Sequence, residues 1–288
     1  MSLAEATVGD LAAAEAALGP LTHDRLLGGR VGLTQPLRGY RAATDPVLLA
    51  AAVPAAAGET VLELGIGAGA AVLCLAARVP GLAFAGLEIQ PGYAALARAN
   101  AAAAGVALEV VEGDVAAMPA ALRARRFDHV ILNPPWYDHG VESGTRARTL
   151  AHEEGDAPLA TWIAAAVART RPRGHVAIIH RAERLDTILA TLSGPCGAIR
   201  VRPLAARAGR AAGRVIVTAR TQVRTPLTLK APLVLHRGSG HPGDVEHLTA
   251  RARAVIAGGL ALDAAMALSD SDDARAPGCP DPQPPESA

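Results

Sequence analysis

From Glu59 to Ile179 short apolar runs alternate with alanine-rich segments of helical length, and this alternation constrains the fold more tightly than any other feature. The apolar runs predict strands at Thr60–Leu64, Ala83–Leu87, Ala107–Val111, Phe127–Leu132 and Gly174–Ile179. Between them lie predicted helices at Ala68–Arg78, Gly92–Ala104, Val115–Leu122 and Leu159–Arg169, with Arg184–Leu192 following the last strand. Strands separated by helices imply βαβ units and therefore a parallel sheet. Ala198–Val201 and the β-branched Arg214–Ala219 add two strands, suited to an antiparallel edge hairpin. The expected fold is α/β: a mainly parallel, seven-stranded sheet with helices on both faces.

The flanks read differently. Residues 1–20 are alanine-rich, end at Gly19-Pro20, and are expected to be a frayed helix or an N-terminal appendage. Residues 21–44 are dense in Gly, Arg and Thr and suggest an irregular cap. Asp45-Pro46 marks a helix start, with Asp as N-cap and Pro at the first helical position, running to about Val53. The main domain is assigned to residues 21–262. Residues 269–288 turn Ser/Asp-rich and then Pro-rich, a composition that predicts a disordered tail.

Closely spaced glycines sit where the first strand meets the first helix, in Glu63-Leu64-Gly65-Ile66-Gly67-Ala68-Gly69. Such a loop lets a ligand approach the backbone at the carboxyl edge of the sheet. By itself it fits two cofactors, because Gly65-x-Gly67-x-x-Ala70 with Glu88 further on also satisfies a nicotinamide fingerprint. Three acids at three successive strand ends separate the readings. Glu63 precedes the glycines, where a pyrophosphate would gain nothing from it but a cationic methionine end would. Glu88 is placed for two ribose hydroxyls and Asp114 for an adenine amine. The set favours S-adenosylmethionine.

The fourth strand ends in Asn133-Pro134-Pro135-Trp136-Tyr137. The prolines fix φ and push the residues before them toward extended geometry, holding Asn133 and the Pro134 carbonyl rigidly. Two acceptors so held can orient an amine toward a methyl donor, and the aromatic can stack on a planar substrate. Aromatics make up only 2% of the chain, and two stand here side by side. Asn133, Pro134, Pro135 and Trp136 are therefore the candidate catalytic residues. Asp138 and His139, close to the motif, are read as solvated loop residues in preference to proton acceptors, and Ser143 has no His/Asp partnership beyond proximity in sequence.

With these motifs the sequence resembles class I methyltransferases that carry an (Asn/Asp)-Pro-Pro-aromatic signature. The segment from Gln35 through Gly39-Tyr40-Arg41 to Thr44-Asp45, with Gly144-Thr145-Arg146 and Ala151-His152-Glu153, narrows the likeness to the bacterial tRNA adenine-N6 methyltransferase family acting on valine tRNA. The resemblance spans about residues 22–260. It implies a Rossmann-like fold, cofactor contacts from Glu63, Gly65, Gly67, Gly69, Glu88, Asp114 and Asn133, and a pocket lined by Tyr40, Thr44 and Asp45. Trp136 stands where the family usually has Tyr, and Ala42 where an aromatic is common. Protein glutamine-N5 and RNA guanine-N2 methyltransferases share the signature and remain alternatives, as does a catalytically silent cofactor- or RNA-binding module.

Charge bears on the partner. Net charge is +1, yet residues 169–224 hold twelve arginines against Glu183 and Asp186, which suggests a face for tRNA or other RNA. No apolar run reaches the roughly 18 residues of a membrane span, and no basic residue precedes Arg25, so the expectation is a cytoplasmic protein. Cys74, Cys196 and Cys279 are widely spaced and no histidine pair has metal-ligand spacing, so no metal is expected. The oligomeric state is not fixed by the sequence, with a monomer favoured.

Overall fold

The computed structural model describes residues 3–135, 157–238 and 247–268. The chain begins with helix α1 (Leu3–Leu18), strands β1 (Leu21–Leu26) and β2 (Val31–Pro36), and helix α2 (Thr44–Ala52). The alternating region follows: β3 (Thr60–Leu64), α3 (Ala70–Arg78), β4 (Ala83–Glu88), α4 (Pro91–Ala103) and β5 (Leu108–Glu112). Then come the single turn α5 (Ala120–Arg123), β6 (Phe127–Leu132), α6 (Leu159–Arg169), β7 (Thr170–Arg181) and α7 (Leu185–Leu192). The last part holds β8 (Cys196–Arg207), β9 (Ala212–Thr221), β10 (Thr228–Leu229), β11 (Leu233–His236), α8 (Ala250–Ile256) and α9 (Leu262–Ala265).

The main sheet runs β10-β8-β9-β7-β6-β3-β4-β5, with β11 also on β8. All pairings are parallel except those of β9, which is antiparallel to both β7 and β8. The seven expected strands are present in one sheet. The hairpin of β8 and β9 is not its edge, because β10 and β11 cover the outer side of β8.

Strand periodicity divides the core into two layers. Val61, Ile131, Ala177 and Ile179 face α2, α3 and α8, packing with Val47, Leu48, Val72 and Val255. Leu62, Leu64, Val130, Leu132, Val176 and Ile178 face the other way, against Ile163 of α6 and Ile188 of α7. Both faces of these strands are apolar, as a sheet covered by helices on each side requires.

The flanks correct three expectations. Residues 21–36 are not irregular: β1 and β2 form an antiparallel hairpin in register from Leu21↔Pro36 to Leu26↔Val31. The polar, glycine-rich composition hid it, although Leu27, Val31 and Leu33 join the core and Leu21 and Leu26 pack against it. Asp45 does not cap α2; the N-cap is Ala43, and no side chain caps it. The Asp45 carboxylate turns instead to Arg214. The helix expected at Val115–Leu122 contracts to Ala120–Arg123.

The N-terminal segment is helical and docked on α4. Ala14 is fully buried, and Asp10 pairs with Arg98 at 3.1 Å. Gly92 permits the approach, since a Cβ there would stand 2.9 Å from Ala17 and Leu18 side-chain carbons. Residues 269–288 lie outside the described residues.

Candidate active site

The site is built at the carboxyl ends of β3, β4 and β6. As β3 ends, the chain turns through Gly65 (φ +69°), Gly67 (φ +55°) and Gly69 (φ +87°) before α3 starts. Only glycine adopts these values without strain. The turn is anchored to β4: Gly65 and Ile66 donate backbone hydrogen bonds of 2.9 and 3.0 Å to Leu87 O. Gly67 N donates to Glu88 Oε2 at 2.8 Å, and Gln90 N to Glu88 Oε1 at 3.0 Å. Glu88 therefore shapes the loop through both of its carboxylate oxygens.

Glu63 is 3% exposed, and its Oε2 has no hydrogen-bond partner. Burial pushes its pKa well above the usual carboxylate range, outweighing a hydrogen bond from the Val72 backbone that lowers it, and Glu88 adds to the rise. A buried carboxylate oxygen without a donor is costly, and an ammonium or sulfonium-bearing ligand end would offset that cost.

The N-terminal hairpin is tied to this edge. Asn100 of α4 donates to Thr34 O and to Ala68 O at 2.8 and 2.9 Å, and accepts from Thr34 N at 2.8 Å. One side chain thus ties the hairpin to the glycine loop. The segment after β2 is held by a polar network. Arg41 reaches Asp24 at 2.7 Å and Thr22 at 2.8 Å; Gln35 donates to Asp24 at 2.9 Å and accepts from Ala42 N at 2.8 Å. Tyr40 projects from that segment over Gly67, its Cε1 3.7 Å from where a Cβ would be. Tyr93 supports it, donating its hydroxyl to Tyr40 O at 2.9 Å.

Asn133 follows β6, and its Nδ2 lies 3.4 Å from the Tyr40 hydroxyl. Asn133 Oδ1 is buried without a partner. Pro134 is buried and Pro135 exposed. The structure therefore brings Tyr40, Glu63, the three glycines, Glu88 and Asn133 to one edge. Thr44 and Asp45 stand beside it at the start of α2. Burial raises the Asp45 pKa, partly opposed by Arg214. Asp114 sits after β5, where its Oδ1 accepts from Ala116 N at 2.8 Å, a turn role. Trp136, Asp138, His139, Ser143, Gly144-Thr145-Arg146 and Ala151-His152-Glu153 lie outside the described residues.

Sequence reasoning missed several supports. Asn100, Tyr93, Asp24 and Gln35 act by contacts distant in sequence. Trp162 of α6 abuts the glycine loop: a Cβ on Gly65 would stand 3.0 Å from its ring. Its rarity was the available signal. His180 of β7 is 2% exposed, with neither ring nitrogen hydrogen-bonded. Burial lowers its pKa.

Several arginines of residues 169–224 are engaged in ion pairs or backbone hydrogen bonds. Arg202 is buried against Asp263, while the more exposed Arg214 and Arg171 pair with Asp45 and Asp128. Arg181 pairs with Glu183, while Arg207 and Arg220 donate to backbone carbonyls. Among the described residues no group of three His, Cys, Asp or Glu could hold a metal ion, and no helix is long and apolar enough to cross a membrane.

The methyltransferase small domain model matches residues 43–182. The chain is 30% identical over 178 residues to the tRNA1(Val) (adenine(37)-N6)-methyltransferase of Aeromonas hydrophila, covering 60% of this chain and 74% of that protein. The chain belongs to this tRNA methyltransferase family. A family member of the same name from Porphyromonas gingivalis is 34% identical over 163 residues, which is 55% of this chain and 61% of the relative. The match thus spans about three fifths of that relative. A solved structure described as a predicted O-methyltransferase from Agrobacterium tumefaciens is 28% identical, with TM-score 0.56, covering 68% of this chain and 90% of that one. The T. thermophilus 16S rRNA N2 methyltransferase in complex with AdoMet and guanosine shares the fold, at TM-score 0.50 and 19% identity over 70% of this chain and 50% of that one. Among methyltransferases of this family the donor set fits S-adenosylmethionine: an orphaned carboxylate oxygen on Glu63, a loop with glycine at every second position and Glu88 at the next strand end.

Proposed function

We propose that the protein transfers a methyl group from S-adenosylmethionine to adenine N6 of tRNA. The observation that carries this reading is Asn133. Its side-chain oxygen is buried and unpartnered at the end of β6, within reach of Tyr40 and followed by two prolines. An exocyclic amine is the donor this acceptor lacks. The names of the curated relatives supply the substrate class.

The cofactor supplies an activated methyl group on a sulfonium. The chain's task is positioning, which can account for a large share of a barrier. Glu63 and the glycine loop hold the cofactor, with Glu88 and Asp114 taking its ribose and adenine ends. Tyr40, Thr44 and Asp45 line the pocket. Asn133 Oδ1 and the Pro134 carbonyl accept the two amine hydrogens and so aim the nitrogen lone pair. Pro135 keeps that turn extended, and Trp136 stacks on the base. No strong general base is required, because the amine becomes acidic only as it is alkylated and water can take its proton.

An anticodon-loop adenine is accessible without opening a duplex. Arginines of residues 169–224 that remain exposed contact the RNA, and the protein works in the cytoplasm as a monomer. Nucleoside mass spectrometry of tRNA with and without the protein tests the reading: N6-methyladenosine must depend on it. Methylation of a release-factor glutamine, with tRNA left unmodified, would overturn it.

A further inference from the structure

A second cavity, of about 320 Å³, opens on the same face of the sheet as α2 but at the opposite edge from the glycine loop. Its floor is formed by β7, β8 and β9, through His175, Arg200, Arg202, Ile216, Thr218 and Arg220. The C-terminal end of α2 and its continuation, residues 51–54, form one wall; Lys230 and the start of α9 form the rest. His175 pairs in register with His129, four residues before Asn133 on the neighbouring strand. At about 3.3 Å per residue the cavity is therefore roughly 13 Å from the catalytic turn. Helix α2 runs between the two, with Asp45 at one end and Ala51 and Ala52 at the other.

Four permanent cations meet one carboxylate here. Arg202 is 6% exposed and is held by Asp263 at 2.7 Å and Ala231 O at 2.9 Å. Arg200 reaches the same Asp263 at 3.5 Å. Arg220 donates through Nε and Nη2 to Arg173 O, a neutral acceptor. The ammonium of Lys230, the chain's only lysine, has no hydrogen bond or ion pair among the described residues. Asp263 thus compensates Arg202 and orients Arg200, while Arg220 and Lys230 keep uncompensated charge in a partly enclosed space. Opposite them the walls are apolar: Ala51, Val53, Pro54, Ala198 and Leu262.

We infer that this cavity binds a small phosphorylated molecule, its phosphate against Arg200, Arg220 and Lys230 and its organic body against Val53 and Pro54. A dianionic phosphate matches the charge excess better than a single carboxylate, and guanidinium groups present forked donors to its oxygens. The volume lies at the lower end of the range for small-molecule sites, the size of a mononucleotide. His175 contributes shape rather than charge. Burial, then His129 and Arg220, hold its pKa down at about 4. The ligand sits toward Lys230 and away from the repelling Asp263. None of this depends on which amine the catalytic edge methylates.

Lys230 gives the test its specificity, because an amine-acylating reagent has no other lysine to modify. The full-length protein is treated with N-hydroxysuccinimidyl acetate at fixed ionic strength, alone or with pyrophosphate, AMP, adenosine, potassium chloride or tRNA, and acylation of Lys230 is followed by mass spectrometry. Pyrophosphate and AMP should slow it at least tenfold, while adenosine and chloride do not. Calorimetry should show AMP affinity reduced at least tenfold in Lys230→Gln and Arg220→Gln and largely kept in Lys230→Arg, with S-adenosylhomocysteine titrating all three as it does the wild type. Equal acylation with and without the phosphates would overturn the inference. Protection by tRNA alone would overturn it too, marking the patch as an RNA-backbone contact. A Lys230→Gln protein that still binds AMP as tightly as wild type would do the same.

Discussion

Asn100 and Thr34 exchange two hydrogen bonds of 2.8 Å, the Asn100 amide donating to Thr34 O and its carbonyl accepting from Thr34 N. The same amide reaches Ala68 O at 2.9 Å. A side chain 4% exposed on α4 thereby sets the distance between the N-terminal hairpin and the cofactor loop. Replacing it with Ala strands three backbone groups, two of them on the buried Thr34. Each costs about 1–3 kcal/mol if left unsatisfied. Asn100→Ala is expected to lose about 3 kcal/mol in urea unfolding, and to weaken S-adenosylhomocysteine binding by more than its effect on the fraction folded. A variant with normal cofactor affinity would show that the loop keeps its shape without this clasp.

Glu63 tests the cofactor assignment by its pH behaviour. Its folded pKa is raised by burial, so folding favours the protonated form. The associated stability is complete below the unfolded carboxyl pKa and is lost as pH rises toward the folded value. Glu63→Gln should therefore melt a few degrees above the wild type at neutral pH, with the gap closing in acid. Its affinity for S-adenosylhomocysteine should fall at least tenfold. In the wild type, pairing with a cationic ligand should expel a proton, seen as a dependence of binding enthalpy on the buffer.

Asn133→Ala removes the buried oxygen proposed to aim the amine. Turnover should fall about a hundredfold or more, the scale for removing one positioned polar group at a reacting centre. Cofactor affinity should change less than threefold. Loss of cofactor binding in proportion to turnover would place Asn133 in the cofactor pocket alone.

Asp128 offers a test of the frame beneath the site. Burial opposes its ionisation, but hydrogen bonds from Thr60 N and Oγ1, at 2.9 and 2.7 Å, and then Arg171 outweigh this and pull its pKa to about 2. A depressed carboxyl stabilises the fold above its unfolded pKa, and that contribution is lost as pH falls toward 2. Asp128→Ala should lose about 2 kcal/mol at neutral pH, and the difference from wild type should shrink between about pH 4 and pH 2. A constant difference across that range would assign the effect to packing.

Much of the fold was legible because strands such as Thr60–Leu64 and Phe127–Leu132 are apolar on both sides, and their ends follow from glycine and proline chemistry that is local. The hairpin of Leu21–Pro36 was not, because its polar strands are held by Asp24, Gln35 and Arg41 and by Asn100, a residue 66 positions from Thr34. The same limit applied to the arginines. Twelve of them could be counted in residues 169–224, but not that Asp45, Asp128 and Asp263, all outside that segment, pair with four of them.

The sequence by itself determined the alternation of strand and helix, the glycine turn and the Asn-Pro-Pro turn. Each depends on backbone preferences and side-chain periodicity within a few residues. Tertiary structure decided which charges are neutralised and which are left facing a cavity. It also decided that Asp45 pairs with Arg214 rather than capping its own helix, and that Tyr40 comes to rest over Gly67. Those outcomes depend on desolvation and on partners brought together from distant positions, and neither quantity exists until the sheet has been assembled.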